Sequence, residues 1–295
     1  MLSIFTTTKD FIGEFDNIQQ NAINSWRSLS DEIEIMIMGR AHGAEKMAKK
    51  TNAIYFPDVP LSESGMPTLP GMFNKAQLSS KYNIICFINA DIILPYNFLD
   101  VITNLKKIKK NFLAVGHRWD YDIKKIINFN DKLESEKLWD LIKKKSVKQS
   151  PSAIDYFIFN KKLWHKIPEL VIARQRYDNW LIWKARRMGA PVIDLSDALK
   201  VAHQNHSYNY GKFKGIEEVD IDEDTFKNKL IIGQKTLNLL DTNWFYDGYR
   251  IKRKKNIEFV QRNLGKLPVI YPEFSLILIL YKKIYRKIIK LFITK

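Results

Sequence analysis

The stretch Ile84-Ile-Cys-Phe-Ile-Asn-Ala-Asp-Ile-Ile-Leu94 best combines reactive side chains with a means of holding them. Its apolar run predicts a buried strand, and Asn89 and Asp91 follow at the C-terminal end, two positions apart. On extended backbone that spacing points both side chains the same way. One carboxylate and one amide so placed suit a divalent cation and a ribose hydroxyl, the needs of a nucleotide-diphosphate ligand. The same residues also suit a plain turn, with Asp91 capping the next helix and Asn89 in the bend. Cys86, the single cysteine, lies inside the apolar run, so neither an intrachain disulfide nor a multi-thiolate zinc site can be built.

Stepwise alternation of strand and helix patterns supplies the scaffold. Strands are expected over 2–8, 32–38, 53–56, 84–88, 112–115, 153–159, 192–195 and 199–203. Helices are expected over 17–29, 44–50, 73–80, 97–107, 131–145 and 178–188, and the Pro- and Gly-rich segment 57–71 reads as a long loop. This order predicts an α/β fold with a mainly parallel sheet flanked by helices on both faces. Such sheets bind ligands beyond the C-terminal ends of their strands, which is where Asn89 and Asp91 fall.

The turn Asn89-Ala90-Asp91 resembles the Asp-x-Asp motif of GT-A nucleotide-sugar glycosyltransferases, with Asn in place of the first acid. Arg176-Tyr-Asp-Asn-Trp-Leu181 is similar to the start of the acceptor-side helix where inverting members carry their catalytic Asp, and Val201-Ala-His-Gln-Asn-His-Ser-Tyr208 to the late strand whose His completes the metal site. The resemblance covers roughly residues 1–210, in the family's order along the chain. It implies a GT-A-like fold, a nucleotide-diphosphate sugar as donor, Mn2+ or Mg2+ as cofactor, and inversion at the sugar. Asp178 is then the general base, in a position that also suits a helix cap. Asp91 with His203, and His206 as second choice, form the metal set, imidazole being a suitable ligand for a divalent ion. Thr6, Thr7, Thr8 and Gly39 join Asn89 and Asp91 on the donor side. Arg118, able to pair with phosphate, and Trp119, able to stack on a sugar, are acceptor-side residues together with Asp155, Asn179 and Trp180. A nucleotidyltransferase of related fold is the rival enzyme, yet Thr6-Thr-Thr-Lys-Asp10 lacks the Gly-rich basic phosphate loop such a protein would show.

Of 295 residues 45% are hydrophobic and 27% charged, which excludes a disordered chain. The formal charge is +16, and 249–295 holds 13 Lys and Arg against Glu258 and Glu273, so most of the excess belongs to the C-terminal part. Lys282, Lys283, Arg286, Lys287 and Lys290 fall within an arc of about 140° at helical spacing, opposite Ile284, Ile288 and Leu291. The pattern predicts a helical basic tail lying on an anionic membrane surface, with a solvated docking helix as the alternative. Residues 1–215 are expected to form the catalytic core, 216–248 a helical connector and 249–295 the tail. No zinc-finger spacing or ribonucleoprotein motif is present, so nucleic acid is not the expected partner; a non-catalytic basic binding protein is the alternative from another class. The expected acceptor is a glycan or a lipid-linked glycan in polysaccharide synthesis. The start lacks the pattern of a secretory signal, and no run of 18 apolar residues occurs. A cytoplasmic protein, peripheral at the inner membrane face, is the expectation.

Overall fold

Residues 1–207, 222–277 and 280–281 are described by a computed structural model. The elements in chain order are β1 (Ser3–Thr7), α1 (Glu14–Arg27), β2 (Glu34–Met38), α2 (Ala44–Lys50), β3 (Ile54–Phe56), α3 (Leu69–Ser79), β4 (Ile84–Ile88), β5 (Ile92–Ile93), α4 (Phe98–Leu105), β6 (Leu113–Val115), β7 (Arg118–Tyr121), α5 (Lys132–Lys145), β8 (Val147–Lys148) and β9 (Tyr156–Asn160). There follow α6 (Tyr177–Arg187), β10 (Val192–Asp194), β11 (Val201–Gln204), α7 (Glu223–Ile232), β12 (Trp244–Tyr246), β13 (Ile251–Arg253) and α8 (Ile257–Ile270).

The period-two alternation of strand residues sorts apolar side chains into two layers. Along β4, Ile84, Cys86 and Ile88 join Ile4, Ile35, Ile37 and the α1 residues Ala22 and Trp26 on one face, while Ile85 and Phe87 join Phe5, Met36, Phe73 and Phe159 on the other. Burial on both faces is why the strand reads as an unbroken apolar run. Nine strands form one sheet in the order β13-β12-β10-β6-β9-β4-β1-β2-β3. β9 is antiparallel to β4 and β6, and β13 to β12; the other pairs are parallel, so the remaining strands all run one way. A second sheet has the order β5-β11-β7-β8 and carries Arg118, Asp120 and His203.

Several boundaries differ from expectation, with α1 beginning at Glu14 rather than 17 and β9 at Tyr156 rather than 153. Helix α3 begins at Leu69, inside the segment read as loop, because Thr68 Oγ1 accepts from the Gly71 amide at 3.3 Å and Pro70 sits in the first turn, where a missing N–H costs nothing. The division at 248/249 falls in the turn between β12 and β13, which both extend the main sheet. Beyond them α8 is anchored to α6: Trp183 Nε1 donates to the Val269 carbonyl at 2.8 Å, Arg186 Nη2 to Asn263 Oδ1 at 2.6 Å, and Ile270 is fully buried. The division at 215/216 and the basic arc over 282–290 lie outside the described residues. No helix of the described residues is long and apolar enough to cross a membrane.

Candidate active site

β4 delivers Asp91 to the C-terminal edge of the main sheet, and β11 brings two imidazoles to it from the smaller sheet. Asp91 Oδ2 lies 3.5 Å from His203 Nε2 and 3.3 Å from His206 Nε2. Ligand-capable atoms of the three residues all fall within 4.8 Å of one another. His206, past the end of β11, turns back so that its ring centroid is 5.3 Å from that of His203, and both imidazoles lie at the Asp91 carboxylate. The second oxygen of Asp91, Oδ1, is buried without a hydrogen-bond partner among the described residues, which leaves the carboxylate able to bind a cation. Two imidazole nitrogens and one carboxylate suit a first-row divalent ion such as Mn2+ better than an all-oxygen cage would, whereas Mg2+ favours oxygen ligands.

The supports of this cluster are polar and buried. His203 is paired across β7 and β11 with Asp120, whose Oδ1 is 3.3 Å from His203 Nδ1. Outer carboxylates of this kind fix the tautomer and orientation of a ligating histidine. Burial pulls His203 down, but Asp91 and Asp120 outweigh it and push its pKa up to about 9. Burial likewise opposes the ionised form of Asp91, yet the two histidines hold its carboxyl well below the usual range. Gln204, fully buried, fixes the backbone beneath: its backbone N–H and its side-chain Nε2 both donate to the Asp91 carbonyl, at 3.1 and 3.2 Å, while Asn21 Nδ2 donates to its Oε1 at 3.0 Å.

Asp120 is linked to Asp155 through Arg118, whose Nε is 3.1 Å from Asp120 Oδ1 and whose Nη1 is 3.0 Å from Asp155 Oδ2. Asn89 Nδ2 donates to Asp155 Oδ1 at 2.6 Å, so this amide is bonded to the acid that immediately precedes β9. Asp178 is the second residue of α6 and not its cap; the cap position is held by Arg176 in the left-handed region at φ 74°. Burial raises the Asp178 pKa to about 7, with the negative charge of Asp155 adding to it and backbone N–H groups and Arg118 opposing. A carboxyl with that value is poised to take a proton near neutral pH.

The remaining candidates divide. Thr7 ends β1 beside Gly39, whose φ of 101° and close approach to Thr7 Oγ1, at 3.3 Å from where a Cβ would stand, suit glycine. Thr8 Oγ1 is buried without a partner among the described residues. Thr6 is fully buried and donates to the Thr7 carbonyl at 3.2 Å, so its hydroxyl is not on offer to a ligand. Trp119 points to the face of β7 opposite Arg118 and Asp120, with Lys200 Nζ 3.8 Å from its ring centroid; strand alternation turns it away from the cluster. Trp180 is 3% exposed and packed in the core beside Trp183, which removes it from any acceptor surface. Asn179 is half-buried, its Nδ2 donating to the Ser152 carbonyl at 3.4 Å. Gln204 and Lys9 were not among the expected site residues. Lys9 follows the three threonines; burial lowers its pKa, while Asp91 and Glu14 lie near enough to oppose that shift.

No protein-family model matches the chain, and no curated protein matches it. Solved structures do. Glucosyl-3-phosphoglycerate synthase of M. tuberculosis matches with a TM-score of 0.50 at 14% identity, over 80% of this chain and 80% of that one. A second structure of that enzyme, in complex with Mg2+ and uridine diphosphate, matches with a TM-score of 0.50 at 15% identity, over 80% of this chain and 79% of that one. S. aureus TarS in complex with UDP-GlcNAc matches with a TM-score of 0.52 at 13% identity, over 93% of this chain and 72% of that one. With its mainly parallel sheet, its acid-bearing turn after β4 and its late histidine strand in that order, the chain has the fold of the GT-A glycosyltransferases.

Proposed function

We propose that this protein is a glycosyltransferase that moves a sugar from a nucleotide-diphosphate donor to a hydroxyl acceptor with inversion. The observation that carries the reading is the convergence of Asp91, His203 and His206 at the C-terminal sheet edge, with Asp178 raised to about 7 beside the Arg118–Asp155 pair. Asp178 takes the proton from the acceptor hydroxyl as its oxygen attacks the anomeric carbon, and the bond from that carbon to the diphosphate breaks on the opposite side. A single displacement of this kind inverts the centre. Asp91, His203 and His206 would hold Mn2+ or Mg2+, which neutralises charge on the departing diphosphate. Asp120 and Gln204 keep the ligands oriented, and the Arg118 bridge sets the distance between the cation ligands and the base. Thr7, Thr8 and Gly39 lie at the edge where the nucleoside would rest. The solved structures that share the fold carry uridine diphosphate or UDP-GlcNAc, so a uridine nucleotide is the first donor to try. The acceptor is a glycan or lipid-linked glycan at the cytoplasmic membrane face.

The test is a panel of nucleotide sugars assayed for metal-dependent hydrolysis and transfer. At least one donor is expected to turn over with the wild-type protein and not with Asp91→Ala. Equal turnover by the two proteins, or none with any donor and any divalent ion, contradicts the proposal.

A further inference from the structure

A groove of about 640 Å3 lies far from Asp91, between α8 and the strand starts at the β12–β13 end of the main sheet. Its cations are Lys109, Lys110, Arg186, Arg253 and Lys254, and no acid lines it. Lys109 and Lys110 precede β6, Gly189 and Pro191 precede β10, and Asn243 leads into β12, so the groove opens at the N-terminal edge of strands whose other edge holds the candidate active site. The strands at whose starts it opens stand two to four places from β4 in the sheet, about 10 to 19 Å sideways, and the strand length adds about 10 Å or more. A ligand here is not the one that reacts at Asp91.

The hydrogen bonds say what that ligand is. Lys254 Nζ is held by Asp194 Oδ2 at 3.1 Å and Thr242 Oγ1 at 2.8 Å, and Arg186 by the Asp241 carbonyl and Asn263 Oδ1. Lys109, Lys110 and Arg253 have no carboxylate partner among the described residues and are exposed. The two amides are turned by their donors: Asn243 Oδ1 accepts from the Val192 N–H at 2.8 Å and Asn263 Oδ1 from Arg186 at 2.6 Å. Each therefore keeps its Nδ2 hydrogens, which have no acceptor among the described residues. The acceptors of the groove are spent on the protein and the donors are left over. Arg253 also lies 5.3 Å from the Trp244 ring, which holds its guanidinium at the groove. Ammonium, guanidinium and amide donors around one cavity are the complement of phosphate oxygens.

We propose that this groove is a second binding site, specific for phosphate-bearing ligands and separate from the donor site. The phosphate can come from a soluble phosphorylated glycan or from a lipid headgroup. The probe is inorganic tripolyphosphate, titrated calorimetrically into the full chain in EDTA and 0.15 M salt, where distant charges are screened beyond about 8 Å. The expected result is saturable binding that weakens at least tenfold in Lys109→Ala/Lys110→Ala/Arg253→Ala and is unchanged in Asp91→Ala. Removing three exposed lysines of α5, in Lys137→Ala/Lys143→Ala/Lys144→Ala, takes away the same charge and is expected to leave the affinity within about threefold. Titration with glucose 1-phosphate and with monomeric dihexanoyl phosphatidic acid, neither of which offers a bilayer surface to the C-terminal segment, then tells the sources apart: tighter binding of the phosphatidic acid, lost in the groove variant, assigns a lipid headgroup, and tighter binding of the sugar phosphate assigns a soluble phosphate compound. The proposal is overturned if tripolyphosphate does not bind, if Asp91→Ala abolishes binding, or if the α5 variant is weakened as much as the groove variant. None of these outcomes depends on whether the protein transfers sugar.

Discussion

Asp178 carries the sharpest consequences at the scale of single residues. Its pKa, raised by burial to about 7 against about 3.9 for an unfolded Asp, means that the ionised form is disfavoured in the fold. Stability is therefore lost as pH rises from about 4 to about 7, and turnover should rise over the upper part of the same range as the base is freed. Asp178→Asn is expected to lower turnover by at least about 10², to abolish that limb of the pH profile, and to melt higher than wild type at pH 8 but not at pH 4. A pH-rate profile and two melting curves check this, and full turnover in the variant would leave the residue with a structural role only. Asp120 acts through His203, so Asp120→Asn should weaken Mn2+ binding by about 10- to 100-fold while excess Mn2+ restores most of the turnover. A merely structural role for Asp120 would show no such rescue. Asp91 was legible in the sequence because it closely follows the apolar run of β4, and the histidines because 201–208 resembles the late strand of GT-A glycosyltransferases. Asp120 was not, because its partner is 83 positions away in the chain and reaches it only through the register of β7 and β11.

At the scale of elements, the long apolar or strongly periodic segments were readable: β4 and α2 fall where the sequence places them. The short strands were not. β5 and β8 have two residues each, and β7 has two charged residues among its four, so period-two reading has nothing to grip. Yet these strands make the small sheet that brings His203 to Asp91. β12 was hidden in the stretch expected as a helical connector, and β13 in a basic segment because Lys252 and Arg253 sit on an edge strand, where charge is tolerated and discourages pairing with another chain. The loop before α3 also proved less free than its prolines suggest, since Ser62 Oγ donates to Asp224 Oδ2 of α7 at 2.8 Å. At the end of β6, a Cβ on Gly116 would collide with the Tyr156 hydroxyl of neighbouring β9. Gly116→Ala is expected to destabilise the fold by about 1–3 kcal/mol, measured by urea unfolding, because two sheet strands meet there with no slack. An unchanged midpoint would show that Tyr156 has room to move.

On the scale of the whole molecule, most of the charge excess belongs to 249–295, which gives Arg253 and Lys254 to the groove beside α8 and runs on past it. Among the described residues past α8, Phe274, Leu276, Ile277, Leu280 and Tyr281 are each more than half exposed, and from Phe274 onward the sequence holds five further cations on one predicted arc and no acid. Exposed apolar residues next to unopposed charge fit an anionic bilayer surface. Deleting 274–295 is expected to release the protein from phosphatidylglycerol vesicles without lowering the melting temperature, whereas a helix docked on the core would give the reverse. The central claim, however, is that Asp91, His203 and His206 bind a divalent ion that in turn binds the donor diphosphate. Its most direct test is calorimetric titration of uridine diphosphate into the wild-type protein with Mn2+ and again in EDTA, repeated on Asp91→Ala. The account predicts saturable binding with Mn2+, at least a tenfold loss in EDTA, and the same loss in Asp91→Ala with Mn2+ present. Equal binding in all three conditions would contradict it.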